Sequence, residues 1–192
     1  SEESRDFKVL QVFGKVLTRK VWEPRDEIRV GEVLGLGRRV TTLPKGGIEL
    51  VSSSVLPITL RTVQASSFDL MRPNQFALHS GSFVLHSTIK NSTIIIESPM
   101  VEVTLSCEEP FAFMAGVTTN GGVKIIGLLG ETSLRSDGGK LVLLPGELTF
   151  ALSDGFSRKM NVELSTLLVT SNLLTDFEQP PVFLKKLRQQ AM

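Results

Sequence analysis

The sequence predicts a mainly β protein in which short antiparallel strands wind into a twisted body, either solenoid-like or sandwich-like. Apolar runs of about five residues recur, with a turn signal every eight to twelve residues or so. The first of them, FKVLQVFGKVLTRKVW, alternates Val, Leu and Phe with polar residues, which is typical of strands rather than helices. Roughly twelve strands are therefore expected between Phe7 and about Val162.

Four turn signals organise the predicted strands. PKGG at residues 44–47 is expected to close a hairpin, since glycine supplies the positive φ of tight turns. Asn91 and Ser92 predict a reversal between paired strands. NGG at residues 120–122 and DGG at residues 137–139 are strong turn signals flanked by Val, Ile and Leu.

The spacing of apolar residues changes after Val162. Leu164, Leu167 and Leu168 begin a stripe at helical spacing, and Pro180 and Pro181 interrupt it. A second apolar stripe then runs through VFLKKLRQQAM. The predicted organisation is a β domain over residues 7–162 and a C-terminal extension of one or two helices over residues 163–192.

Composition excludes some classes of protein. The chain has 192 residues and a formal net charge of +1, so no strong field favours a nucleic-acid partner. A single cysteine, Cys107, can form neither an internal disulfide nor a cysteine-rich zinc site. No apolar run reaches the roughly 18 residues of a membrane helix. Because the chain begins with serine, we expect a leader to have been removed or omitted.

The order of the glycine units resembles that of FecR-like domains. This order runs through GKV at residues 14–16, GEV at 31–33, RVTT at 39–42 and GGIEL at 46–50. It continues with LHSGSFVL from Leu78, IESP from Ile96, LLGETSL from Leu128 and VLLPGEL from Val142. The resemblance covers about residues 10–150. Where such domains carry Arg-Gly-Thr-x-Phe, this chain has LSCEEPF at residues 105–111.

The resemblance implies a non-enzymatic, periplasmic or extracytoplasmic β domain without a cofactor. The best-known members of the family relay a transport signal to a sigma factor across the inner membrane, a role that is not carried over to this chain. The first hypothesis is an exported domain that acts by protein–protein contacts in bacterial envelope signalling or assembly. Strand edges at the two ends of the winding, or the C-terminal extension, would be the docking surfaces. Self-association is also compatible with this hypothesis.

Few residues predict catalytic or metal chemistry. His79 and His86 are seven residues apart around Gly81, so they face opposite sides of a single strand unless a bulge realigns them. Cys107 precedes two acids, which oppose a reactive thiolate, so a structural role is expected. The acidic pairs are Asp26 with Glu27, Glu108 with Glu109, and Asp176 with Glu178; a glycosidase would need two of these groups to face across a cleft.

The candidate interaction residues lie in two places. Trp22, the only tryptophan, stands among charged residues that include Arg25. Lys185, Lys186 and Arg188 are expected on the polar side of the last amphipathic segment, where they could contact a partner or a membrane surface. A carbohydrate- or small-ligand-binding β-sandwich is the alternative function, and a carboxylate-based hydrolase is the third.

Overall fold

A computed structural model of the chain describes residues 6–63 and 65–164, together with residues 183, 186 and 189. Nineteen strands form in these residues. The first nine are β1 (Phe7–Phe13), β2 (Val16–Arg19), β3 (Asp26–Glu27), β4 (Val33–Leu34), β5 (Arg39–Thr42), β6 (Gly47–Ser52), β7 (Thr59–Val63), β8 (Ser67–Arg72) and β9 (Gln75–Ser80). The others are β10 (Ser82–Ser87), β11 (Ser92–Glu97), β12 (Glu102–Cys107), β13 (Phe111–Val117), β14 (Val123–Leu129), β15 (Thr132–Ser136), β16 (Gly139–Leu143), β17 (Glu147–Leu152), β18 (Gly155–Phe156) and β19 (Met160–Asn161).

The strands form two sheets, which confirms the predicted mainly β fold. The first sheet has ten strands in the order β18-β17-β14-β13-β10-β7-β6-β1-β4, with β19 beside β17. The second has nine, in the order β16-β15-β12-β11-β9-β8-β5-β2-β3. Neighbours are antiparallel except β9 and β11, which pair in parallel. Apart from the shortest strands, chain order and spatial order agree, so the chain advances steadily while it passes between the sheets.

The core lies between the two sheets. Phe7 and Phe83 of the first sheet each make an edge-to-face contact with Phe76 of the second, with ring centroids 5.9 Å apart in both cases. Phe68 joins them at 6.0 Å from Phe83. These four rings are fully buried. Alternate residues along each strand supply this core, which is why the period-two pattern is visible in the sequence.

Glycine corners carry the chain from one sheet to the other. Gly81 separates β9 of the second sheet from β10 of the first, with φ of 77°. A Cβ at this position would lie 2.6 Å from the Cα of Ser66. A residue without a side chain is therefore needed here for both its conformation and its close approach.

Two of the four predicted turns do not close hairpins. PKGG at residues 44–47 links β5 to β6, and these strands belong to different sheets. Asn91 lies between β10 and β11, which are also in different sheets. Both hairpin predictions are wrong because each of these turns carries the chain from one sheet to the other. The turns at residues 120–122 and 137–139 do join paired strands, β13 with β14 and β15 with β16.

The expectation of roughly twelve strands is too low. Two-residue strands such as β3, β4, β18 and β19 carry no periodic signal. In addition, Gly81 divides what the sequence suggests is one apolar run into β9 and β10.

The outer faces of the two sheets differ in character. The outer face of the first sheet carries an apolar cluster of Val84, Ala112, Ile126 and Leu128, on which Phe183 packs. Phe183 is only 5% exposed. The second sheet instead presents polar residues, including Thr93, Glu102 and Ser106, to solvent. A residue near the C-terminus therefore packs against the β domain.

The predicted C-terminal helices fall on residues of which only a few are described. Beyond residue 164 these are Phe183, Lys186 and Gln189, and the rest of the predicted helices lie outside the described residues. In the part of the chain that the structure covers, no helix is long and apolar enough to cross a membrane.

Candidate functional site

Trp22 occupies a tight turn between β2 and β3. The amide N–H of Glu23 donates to the carbonyl oxygen of Lys20 at 3.0 Å, which makes Trp22 the third residue of a four-residue turn. Its φ is 68°, a value that Gly or Asn ordinarily supplies at this position. Trp22 is fully exposed, so no packing of the indole compensates for this conformation. The turn holds a large aromatic ring in solvent at a conformational cost.

A charged cluster lies beside this turn on the outer face of the second sheet. Arg39 on β5 donates to Asp69 on β8, with Nε at 2.7 Å from Oδ1 and Nη2 at 3.2 Å from Oδ2. His79 on β9 places Nε2 at 2.9 Å from Oδ2 of Asp69. Adjacent strands position the three side chains. Asp69 on β8 pairs in register with Arg39 on β5 and with Ala77 on β9, and His79 follows Ala77 by two residues on the same strand.

The cluster is electrostatically organised around Asp69. Burial by itself would raise the pKa of Asp69, but hydrogen bonds from Arg39 and His79, together with their charges, hold this pKa below its ordinary value. The hydrogen bond to Asp69 raises the pKa of Arg39, partly opposed by burial. Asp69 is therefore ionised, and its carboxylate orients the guanidinium of Arg39.

A shallow cleft joins the turn to the cluster. It has a volume of about 290 Å³. Its lining residues are Arg19, Val21, Trp22, Gly37, Arg39 and Asp69. An exposed indole next to oriented charged groups can stack on a flat partner group while the arginines contact an anionic or polar one. We call this surface the Trp22 site.

The other predicted interaction residues lie apart from one another or outside the described residues. Arg25 is exposed three residues after Trp22, just before β3. Lys186 is exposed near Phe183, on the side of the first sheet. Lys185 and Arg188 lie outside the described residues. The basic cluster predicted for the C-terminal segment can therefore be placed only through Lys186.

The two histidines are not brought together. His79 is exposed on β9 of the second sheet, whereas His86 is 4% exposed on β10 of the first. The ring of His86 lies 4.8 Å from that of Phe183, centroid to centroid. Burial and the charge of Lys186 lower the pKa of His86 to about 4. The two residues flank the Gly81 corner and form no common site.

Cys107 has the environment of a structural residue. Its thiol is buried and lies 3.5 Å from the hydroxyl oxygen of Thr132, to which it donates. Burial raises the pKa of this thiol to about 11, against the weaker effect of the Thr132 hydrogen bond. The thiol is therefore protonated at neutral pH, as the adjacent acids led us to expect.

The acidic pairs do not converge where the structure describes them. Asp26 and Glu27 are exposed on β3, and Glu108 and Glu109 are exposed in the turn after β12. Asp176 and Glu178 lie outside the described residues. Among the described residues, no group of three or more His, Cys, Asp or Glu side chains could hold a metal ion.

A buried ion pair occupies the outer face of the first sheet. Arg61 on β7 donates through Nε to Oε2 of Glu49 on β6 at 2.6 Å, and Gln11 on β1 donates to Oε1 at 2.8 Å. Both charged residues are less than one-tenth exposed. Burial lowers the pKa of Arg61, and the charge of Glu49 opposes this effect. This network cross-links three strands and presents little charge to solvent.

A larger cleft, which the sequence did not predict, opens at one end of the two sheets. Its volume is about 660 Å³. Its lining residues are Leu36, Ser54, Leu56, Ile58, Met71, Arg72, Pro73, Asn74, Asn91, Ser92 and Thr93. They come from four separate connections and the strand ends beside them, so no local motif could have revealed it. We call it the end cleft.

The free edges of the sheets are mostly short. The edge strands β3, β4 and β18 have two residues each, and β16 has five. On β16 the carbonyl oxygen of Val142 already accepts a hydrogen bond from Nζ of Lys159 at 3.2 Å. Apart from β16, the outermost strands of the two sheets are therefore short.

No protein-family model matches the sequence, and no curated protein matches it significantly.

Proposed function

We propose that this chain is a non-enzymatic binding domain of FecR-like type, exported to the bacterial envelope, and that it acts in signalling or assembly by binding another protein through the Trp22 site. The observation that carries the proposal is the conformation of Trp22. Trp22 has a positive φ and a fully exposed indole, so the side chain contributes no buried surface to the stability of the fold. A residue kept under such conformational cost points to a role outside the fold itself.

Physical properties of the Trp22 site favour a protein partner. Tryptophan and arginine dominate the energetics of protein interfaces, and both occur here. Asp69 holds Arg39 in position, which reduces the side-chain entropy that binding would otherwise cost. The charges around the indole provide the polar rim of such an interface. The steady advance of the strands is compatible with the winding that the FecR-like resemblance implies.

The proposal is tested by capturing partners from a membrane-plus-periplasm extract on the immobilised intact chain. Trp22→Ala removes the indole and should abolish capture of the specific partner. Met160→Ala is the matched control, since Met160 is an exposed large apolar residue on the other sheet. It should leave capture intact. Equal capture by the wild type and Trp22→Ala would refute the role of the Trp22 site.

A carbohydrate ligand is the second candidate for the same site. The exposed indole beside Arg39 and Asp69 favours it, because sugars stack on aromatic rings while their hydroxyl groups bind charged side chains. A glycan array probed with wild type and Trp22→Ala separates the two functions. Binding of one sugar class that Trp22→Ala loses, together with no captured protein, would replace the protein partner with a glycan.

A further inference from the structure

The end cleft lies between the sheets, where loops from both of them meet. The first sheet contributes the connection between β6 and β7, with Leu56 and Ile58. The second contributes the β8–β9 hairpin, with Met71 and Arg72, and the start of β11. Its volume of about 660 Å³ falls within the range of about 300–1,000 Å³ found for small-molecule sites.

The walls of the end cleft are held by hydrogen bonds within the protein. Asn74 donates through Nδ2 to the carbonyl oxygen of Thr93 at 2.8 Å and accepts from the Ile95 amide at 2.9 Å. On the opposite wall the amide of Ile58 donates to the Ser52 hydroxyl oxygen at 2.8 Å. The cleft is consequently pre-formed, and a ligand would not have to order its loops.

The lining combines apolar side chains with one charge. Leu36, Leu56 and Met71 provide apolar surface, and Leu56 and Met71 are each 42% exposed. Arg72 is the only ionisable residue of the lining. It is exposed and forms no ion pair with any residue that the structure describes. Exposed side-chain amides and hydroxyls of Asn91 and Thr93 complete the rim.

We propose that the end cleft binds a small amphipathic carboxylate, an acyl chain that ends in an anionic head group. The chain would cover Leu36, Leu56 and Met71, and the carboxylate would pair with Arg72. Charge complementarity selects an anion, because the lining contains a cation and no acid. This site is independent of the Trp22 site and of the function proposed for it.

The test uses three probes that differ in one part each. N-decanoylglycine has both chain and carboxylate, N-decanoylglycinamide lacks the charge, and N-acetylglycine lacks the chain. Binding to the intact chain is measured by calorimetry and by amide chemical-shift mapping. N-decanoylglycine should bind saturably, with shifts around residues 54–58, 71–74 and 91–93. The uncharged amide should bind about tenfold more weakly, and N-acetylglycine should not bind detectably.

Substitutions then locate the charge. Arg72→Gln should weaken the binding of N-decanoylglycine at least about fivefold and leave the binding of the uncharged amide unchanged. Arg135→Gln is the matched control, because Arg135 is also exposed and without an ion pair among the described residues. Arg135→Gln should leave the affinity for both ligands unchanged. Far-ultraviolet circular dichroism checks that each variant is folded.

Any of four results would overturn the proposal. The first two are no saturable binding of N-decanoylglycine and equal binding of its uncharged amide. The other two are equal effects of Arg72→Gln and Arg135→Gln, and chemical-shift changes that map to another surface.

Discussion

The rings of His86 and Phe183 lie against each other in a tilted arrangement, with their centroids 4.8 Å apart and their planes at 43°. His86 belongs to the β domain and Phe183 to the C-terminal extension, so this contact joins the two regions. Phe183 also packs on Val84 and Ala112 of the first sheet. The buried, uncharged state of His86 consequently depends on a residue almost a hundred positions later in the chain.

Phe183→Ala is expected to raise the pKa of His86 toward its ordinary value of about 6.5, because water would reach the imidazole ring. It should also lower the free energy of unfolding by about 3 kcal/mol, the usual cost of truncating a buried Phe. A nuclear magnetic resonance titration of the His86 ring measures the first effect, and urea unfolding the second.

Phe156→Ala is the control for this experiment. Phe156 is half-buried and packs against the main core, away from the outer face that carries His86. It should destabilise the protein without moving the pKa of His86. If Phe183→Ala leaves that pKa near 4 in a folded protein, the contact with Phe183 does not exclude water from the His86 ring.

The free energy of unfolding should depend on pH through His86. Its pKa is about 4 in the folded protein and about 6.5 in the unfolded chain. Between these values the unfolded chain binds more protons, so the protein loses stability as the pH falls from about 6.5 to about 4. At about 1.36 kcal/mol per pKa unit, the loss reaches up to about 3 kcal/mol.

Urea unfolding of wild type and His86→Gln at several pH values measures this contribution. The variant should have the shallower dependence in this window. Lys186 and the buried pair of Glu49 and Arg61 share the outer face, and both proteins retain them. Parallel curves for the two proteins would show that His86 is not the titrating group.

Local sequence patterns predicted the longer strands and the positions of the turns, but not which sheet each strand joins. The alternation in FKVLQVF predicted a strand, and the structure forms β1 there. PKGG at residues 44–47 predicted a reversal, yet the chain there enters the other sheet. Turn residues fix the backbone angles of four residues, whereas the choice of sheet depends on packing between distant strands.

The candidate site was predictable only in part for a similar reason. Trp22 stood out as the single tryptophan among charged residues, and its exposure is consistent with that selection. Its neighbours Arg39 and Asp69 come together through strand register across a separation of 30 residues. The end cleft draws on four connections. Neither arrangement leaves a local sequence pattern.

The Gly81 corner supports a direct stability test. Gly81→Ala should lower the free energy of unfolding by more than about 2 kcal/mol, because the added Cβ meets backbone at a positive φ. That Cβ would lie 2.6 Å from the Cα of Ser66 and 2.7 Å from the carbonyl oxygen of Ala65. Chemical unfolding monitored by circular dichroism measures the loss.

Gly37→Ala separates strain from collision. Gly37 has φ of 86°, and a Cβ there would meet nothing within 4 Å. It should cost about 1 kcal/mol, from conformational strain alone. Equal losses of unfolding free energy in Gly37→Ala and Gly81→Ala would mean that the close approach of the backbone at Gly81 does not set the geometry of the corner.

Trp22→Gly should leave the free energy of unfolding unchanged or slightly higher, although it deletes the largest side chain of the chain. The indole buries no surface, so its loss removes no packing within the protein. Glycine relieves the positive φ, which is worth about 1–2 kcal/mol, while its added freedom in the unfolded chain offsets about 0.5–1 kcal/mol. Urea unfolding measures the balance, and Val21→Gly in the same turn is the control that lacks the positive φ and should be destabilising. A loss of more than about 1 kcal/mol in Trp22→Gly would mean that the indole supports the fold, and its conformation would then not point to a binding role.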